Sequence, residues 1–491
     1  MNDSVFSNNS PRYPEKRFIS LLVTLGLLIV LIGYLQRLDA LSSRGDSFSP
    51  LAFQTDMMVK ISYAYERLAE FKRDESTVDA ADFLKRRAIK AYQEVVQETP
   101  IPRYVRRYII LKHDINPLGI EKAIQLLEET AARPEYSKHR QKQLLIEADM
   151  WRSIYLKPGV PRPDVPIFEH RINNLHLGWY AHLALRDLYR QAGLDEQAKQ
   201  QQMAALNSAG VNAVILSGIF LCALAVLFAG LVLLIAYIDL KIHPKALRTS
   251  VPIEIQADPS VIAGYLLEVF ITYLIVLLAS QLIGGVLLGT ANFVSEELNP
   301  TFAIAVTAGT YVFGGLVALA YLSFRLNLAG WSWKSLGLKV DNFGRNVLFG
   351  IGGYCAALPL VLAAGYISQL MERYIRSPEN PVLPLCLQAD TIIAKMLLFL
   401  LVAVAAPFFE ELFFRGVLFT GLRARWGVNV AVVVSAIIFA SIHPFPIHFL
   451  PVFVLGTAFA ILTYERGSLI SSMVAHALQN SAVFLLLVLV N

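Results

Sequence analysis

Apolar residues occupy two territories of this chain. One run, Phe18–Leu35, stands alone near the N-terminus and is closed by Gln36 and Arg37. The others fill the chain from about Val211 onward. They read as Val211–Ile238, Val261–Leu288, Phe302–Phe324, Val347–Ile367, a long run ending near Leu422, Val428–Ile442, Ile447–Tyr464 and Leu469–Val490. Each is near the roughly 20 residues that a helix needs to cross the hydrocarbon of a bilayer. The pattern predicts an all-α, polytopic membrane helix bundle of about nine spans. The material between the first two spans differs. It is charged and amphipathic, with helical periodicity in Met57–Phe71, Ala80–Val95, Gly119–Ala132 and Lys138–Leu156, and a Pro-rich connector at Pro158–Pro166. The expected organisation is a tail (1–17), a membrane anchor (18–36), an extramembrane helical domain (37–210), accessory spans (211–346) and a C-terminal group of spans (347–491).

Charge sets the orientation. Arg12, Lys16 and Arg17 directly precede the first apolar run. A cleaved signal peptide has a core of about 7–15 residues and a small-residue exit. Neither is evident here, so the run reads as an uncleaved anchor. Basic residues collect on the cytoplasmic side of membrane proteins, which places the N-terminus in the cytoplasm. Lys241, Lys245 and Arg248, then Arg325, Lys334, Lys339 and Arg345, then Arg423, Arg425 and Arg466 fall on that same side, and Glu296-Glu297 on the other. The domain at 37–210 is then extracytoplasmic. An anchored domain of this kind suits a bacterial inner (plasma) membrane.

Composition agrees with an integral membrane protein. Of 491 residues, 16% are charged, against about 25% in a soluble chain. The net charge of +5 is small and dispersed, and gives no reason to expect a nucleic-acid partner. Cys222, Cys355 and Cys386 form no CxxC, so neither a disulfide framework nor a cysteine metal site is indicated. The domain at 37–210 has no cysteine and must fold on its core alone. Its last part, Trp179 to Ala205, resembles one tetratricopeptide-like helical hairpin, with Leu185, Tyr189, Gly193, Ala198 and Ala205 near the expected spacing. The match is partial, and a generic helical domain is an equal reading. Either suits a platform for a protein partner or a substrate.

The chemistry lies in polar islands within the late spans. Phe408-Phe409-Glu410-Glu411-Leu412-Phe413-Phe414-Arg415 sets two carboxylates and a cation among apolar residues. A charge near the bilayer centre costs about 2.5–3.5 kcal/mol even on lenient scales. Such a cluster must pair, face a wet cavity or do chemistry. Two more islands follow, Phe439-Ala440-Ser441-Ile442-His443 and His476-Ala477-Leu478-Gln479-Asn480. At about 1.5 Å per residue, Glu410, His443 and Asn480 reach similar depth, with His476 one turn shallower. Glu411 and Arg415 are i,i+4 and share a helix face, which predicts a buried ion pair. Glu410, turned about 100° away, is then the free carboxylate that could take a proton from water. His476 and Asn480, also i,i+4, carry donors that could hold a carbonyl oxygen as charge develops. Pro407 should bend the helix just before the glutamates, and Pro444, Pro446 and Pro451 suggest a broken turn around His443. The aromatic residues around the glutamates read as lipid-facing and core packing, and His448 as a bystander at a membrane edge.

Taken in order, Glu410-Glu411-x-x-x-Arg415, Phe439-x-x-x-His443 and His476-x-x-x-Asn480 resemble the CPBP family, the CAAX prenyl endopeptidase and bacteriocin-processing (ABI) membrane proteases. The resemblance covers about Val347 to the C-terminus and implies an all-helical bundle with a polar cavity. It implies hydrolysis of a peptide bond in a membrane-bound peptide or protein. Glu410 and His443 would activate water, His476 and Asn480 would stabilise the oxyanion, and Glu411 and Arg415 would hold the site together. Whether a metal takes part stays open. The chain lacks H-E-x-x-H, yet Glu410, His443 and His476 could bind zinc from separate spans. Two other readings stay open too. One is a non-proteolytic membrane scaffold or binding protein using the 37–210 domain. The other is a proton-linked carrier using the same carboxylates, weakened by the lack of an evident internal repeat.

Overall fold

The computed structural model describes residues 13–42, 50–72, 75–98, 100–134, 136–157, 159–175, 177–242, 255–294, 299–371, 385–386, 389, 391–443 and 448–490. Arg12, Pro158, Lys245, Arg248, Glu296, Glu297, Pro444 and Pro446, all used in the sequence reading, lie outside these residues. Among the described residues every regular element is helical. The chain divides into two compact units, Met1–Ser42 with Ala223–Leu487, and Ser43–Cys222 with Val488–Asn491.

Eight described helices are long and apolar enough to cross a membrane. The expectation of about nine spans differs from this at one joint. Ile392–Ser441 forms one run, but Gly427 inside it has φ 78° and ψ 175°. That backbone conformation is costly for a residue with a Cβ, and it splits the run where the sequence separates its long span from Val428–Ile442. The protein is an integral membrane protein built as a helical bundle.

In the membrane unit, α1 (Glu15–Ser42) packs on α10 (Pro259–Val294), which also packs on α11 (Pro300–Ala329) and on the long run α13 (Ile392–Ser441). The α12 helix (Phe343–Met371) packs on α14 (Phe449–Arg466), and α15 (Leu469–Val490) closes the chain. The first helix is therefore part of the bundle rather than a bare anchor. Glu268 of α10 is the reason. Its carboxylate takes Arg17 of α1 at 2.6 Å and Arg325 of α11 at 3.1 Å, and it accepts the Tyr13 hydroxyl. Phe18 adds an edge-on contact to Trp426, with centroids 5.9 Å apart.

The segment 411–419 is buried on every side; its apolar residues face neighbouring helices and its two charges pair with each other. Phe413 stacks on Tyr273 with centroids 3.9 Å apart, and Phe414 meets Phe270 and Phe439 edge-on at 4.9 and 5.0 Å. Phe409, Phe413 and Phe414 are thus core residues. The lipid-facing part of the expectation for this aromatic run fails for them, because neighbouring helices supply aromatic partners.

The second unit is a set of amphipathic helices in which α2 (Pro50–Lys72) packs on α3 (Glu75–Glu98), α5 (Ile120–Ala131) on α6 (Lys138–Tyr155), and α7 (Val165–Asn174) on α8 (Tyr180–Gln191). The α4 helix (Pro102–Ile115) touches α3, α5 and α8. Gly193, with φ 67°, turns the chain after α8 and completes a helical hairpin with the start of α9 (Asp195–Ile242). Trp151, Tyr63, Tyr92 and Tyr180 fill the core.

That core also holds charge. Asp56 accepts from Tyr92, Tyr180 and Arg107, and Arg186 bridges Asp114 and Asp187 at 2.7 Å each. Burial works against the Asp114 carboxylate, but Arg186, with Lys85 and Tyr63, outweighs it and holds the group below its ordinary value. A carboxylate lowered by folding stabilises the native state above its unfolded value, and that stability is lost as pH falls through the folded one. Protection of α4 and α8 amides against hydrogen exchange is therefore expected to drop below about pH 4. Asp114→Asn should show weaker protection at neutral pH and a flatter acid limb. An acid limb unchanged in the variant would remove Asp114 from this role.

Candidate active site

The site is built on α13, whose hydrogen-bond register changes twice. Two π-helical stretches, Leu401–Ala405 and Leu412–Phe419, flank the α-helical piece Ala406–Glu411. Wide turns of this kind recur at functional sites. Pro407 explains the first, since its nitrogen has no proton to give and its ring crowds the preceding turn. Pro407, expected to bend the helix, lies directly after this change of register.

Glu411 and Arg415 are 0% and 1% exposed and meet at 3.0 Å, one helical turn apart. The same carboxylate oxygen of Glu411 accepts from His476 Nδ1 at 2.9 Å. Arg415 also donates to the Gly456 carbonyl at 3.2 Å and lies 4.3 Å over the Phe439 ring. Buried charges of this kind hold only when paired on several sides. The pairing fixes the His476 tautomer. A carboxylate only accepts, so Nδ1 carries a proton and Nε2 faces the other way, 3.9 Å from Glu410 Oε2.

Glu410 is the less enclosed of the two glutamates, with its side chain 17% exposed. Its Oε1 accepts from the Tyr311 hydroxyl at 3.3 Å. Its Oε2 is buried with no hydrogen-bond partner among the described residues. His443 ends the long run, and its Nδ1 lies 2.7 Å from the Phe439 carbonyl. That nitrogen donates, which leaves Nε2 as a lone pair. Phe439 ties the two histidines together, with ring centroids 4.8 Å from His443 and 5.9 Å from His476. Phe459 stacks on His476 with centroids 5.0 Å apart.

Of the residues singled out in sequence, the structure joins Glu410, Glu411, Arg415 and His476 by direct contact and sets His443 beside them across Phe439. Asn480 lies apart from this contact set. Its side-chain amide donates to the Val402 carbonyl at 2.7 Å. The depth order also changes, since His476 is level with the glutamates rather than a turn shallower. Depth counted at a fixed rise per residue misjudges α13, because its π turns take more residues per turn. His448 is exposed at the start of α14.

Tyr311 is the residue that sequence reading missed. It sits on α11, outside the motif-bearing spans, and a tyrosine within a predicted span was its only mark. Its approach depends on Gly315, one turn on. A Cβ there would fall 2.6 Å from the Phe409 ring, so glycine lets α11 come close enough for Tyr311 to reach Glu410.

Zinc needs three or four ligands at about 2.0–2.3 Å from one point. Among the described residues no group of three His, Cys, Asp or Glu side chains is placed to hold an ion. The set Glu410, His443 and His476 does not fit that demand in this arrangement.

Fold and site define a polytopic helical membrane protein with a buried carboxylate–histidine centre. Residues 392–482 match the family model for the type II CAAX prenyl endopeptidase Rce1-like proteins. Over 146 residues, 30% of this chain, the sequence is 27% identical to a protein of Bacillus subtilis (strain 168) named "Putative membrane peptidase YdiL". The match spans 58% of that relative's length. No solved structure matches the chain. The resemblance to the CPBP family of membrane proteases is thus borne out for the C-terminal spans, where all the motif residues lie.

Proposed function

We propose that this chain is an intramembrane endopeptidase that hydrolyses a peptide bond of a membrane-associated peptide or protein. One observation carries the reading: a half-buried Glu410, whose buried Oε2 has no hydrogen-bond partner among the described residues, faces His476, while Glu411 and Arg415 pair beside it. Water held by Glu410 and the His443 Nε2 lone pair attacks the carbonyl carbon. The water O–H bond breaks, the new C–O bond forms, and Glu410 takes the proton. Glu410 then returns that proton to the leaving amine as the C–N bond breaks.

His476 supplies the oxyanion donor when it is protonated, through Nε2–H. Glu411 holds its Nδ1 proton and supports its charge. Two carboxylates then balance Arg415 and the imidazolium. When Glu410 takes the water proton, the cluster becomes net positive as the oxyanion forms. Preorganised charge of this kind acts strongly in a site that excludes bulk water.

The substrate is bilayer-associated, and residues 37–210 are a platform for it or for a protein partner. The basic flanks support a cytoplasmic N-terminus, and an anchored extracytoplasmic domain suits the bacterial plasma membrane. The test uses purified protein in nanodiscs with quenched membrane peptides and a membrane extract, with and without a zinc chelator. Cleavage is expected, and it should be the same with chelator. Cleavage abolished by chelator would overturn the metal-free reading and point to Glu410, His443 and His476 as ligands.

A further inference from the structure

Asn480 is one turn beyond His476 on α15, and its amide donates to backbone. The acceptor is Val402 O, 2.7 Å from Nδ2. Only the nitrogen of a side-chain amide can donate to a carbonyl, so the contact fixes which way the amide faces.

Val402 needs that donor for a reason written in the local sequence. The Ala406 N–H bonds to the Leu401 carbonyl, five residues back. The next bond in this wide register would run from residue 407 to the Val402 carbonyl. Residue 407 is proline and has no N–H. Ala406 is already committed to Leu401, so backbone offers Val402 nothing. In a membrane span there is no bulk water to fill the gap, and a freed carbonyl must be met from inside the protein.

The register of this turn decides which carboxylate faces the site. Slipping the helix by one residue rotates everything after it by about 100°. That is the angle separating Glu410 from Glu411, so a relaxed turn would carry Glu410 away from His476 and Tyr311.

We infer that Asn480 is a positioning residue: its amide replaces the proton that Pro407 lacks, locks the Leu401–Ala405 turn, and so aims Glu410. One N–H of the amide does this, and the second remains for the oxyanion role that the family resemblance implies for Asn480. The positioning role deepens the protease reading and rests on it only for its activity readout.

The test is a double-mutant cycle on the full chain in nanodiscs. Asn480→Ala alone should lower kcat about 10- to 100-fold, the cost of misplacing a reacting group by about an ångström, and lower Tm. Pro407→Ala restores an N–H at the right register. In that background Asn480→Ala should change both kcat and Tm far less. Equal loss from Asn480→Ala in both backgrounds, in kcat and in Tm, would overturn the inference and leave Asn480 with the substrate oxygen alone. If neither wild type nor variant cleaves the peptides offered, the protease reading loses support while the Tm cycle still decides this one. A second measurement covers a Pro407→Ala protein that does not fold. Solid-state NMR with 15N-Asn and 13C-Val labels should show an Asn side-chain to Val carbonyl contact that vanishes in Asn480→Ala. Its absence from wild type would equally overturn the inference.

Discussion

Glu410→Gln is expected to lower kcat for peptide hydrolysis by about 100- to 10,000-fold, the range a positioned general base supplies. The fold should barely notice. Glutamine keeps the shape, and its side-chain oxygen can still accept from Tyr311, which lies 3.3 Å from Oε1 in the native site. What it loses is the ability to take a proton from water. The Arg415–Glu411 pair behind it is untouched, so Tm should stay within a few degrees. Peptide cleavage and thermal unfolding of the same preparation check both halves. Undiminished cleavage of a native substrate would take Glu410 out of the chemistry. Preserved cellular function in the variant, together with loss on deleting 37–210, would favour the scaffold reading.

Arg415→Met should produce the opposite profile, a folding defect that removes activity as a consequence. Arg415 and Glu411 are both fully enclosed. Taking away Arg415 leaves a buried carboxylate with the His476 N–H but no opposing charge, and breaking a buried pair in this way costs about 3–5 kcal/mol. That is a large fraction of a typical folding free energy of about 5–15 kcal/mol. Low yield and a sharply lowered Tm are expected. The double variant Glu411→Gln/Arg415→Met removes the stranded charge and should recover much of the Tm. It should not recover activity, because His476 then loses the carboxylate that orients it. A double variant as unstable as Arg415→Met would show that the pair contributes shape rather than charge.

How much of this was legible before the structure follows from what each feature depends on. The spans were, because a bilayer demands long apolar runs, and Gly427 falls where the reading separated two of them. The Glu411–Arg415 pair was, because i,i+4 spacing is a local property of a helix. That His476 belongs with the glutamates was legible, but its contact with Glu411 and its depth were not, since two π stretches alter the rise of α13. The target of Asn480 was not legible. It depends on which carbonyl Pro407 leaves unmet, and that is set by register, not by residue type. Tyr311 was hidden for another reason. It reaches the site only because Gly315 admits Phe409, and no pattern along one span records how closely a neighbouring helix approaches. The inclusion of α1 in the bundle was missed likewise, since hydropathy reports solvent and says nothing of partners.

The junction of α1 with α10 imposes a timetable on biogenesis. Tyr13 and Glu268 are 255 residues apart in sequence. At about 5–20 residues per second, the ribosome needs roughly 13–50 s to cover that distance. During that interval the first helix must wait in the bilayer without α10, and its mean hydropathy of 2.6 suits it to do so. Glu268 in turn enters the membrane as a charge whose counterions come from both directions of time, Arg17 already made and Arg325 still to be synthesised. The earlier helix is therefore its first available companion. A ribosome that began downstream of α1 would deliver that glutamate to the lipid with nothing ready to receive it.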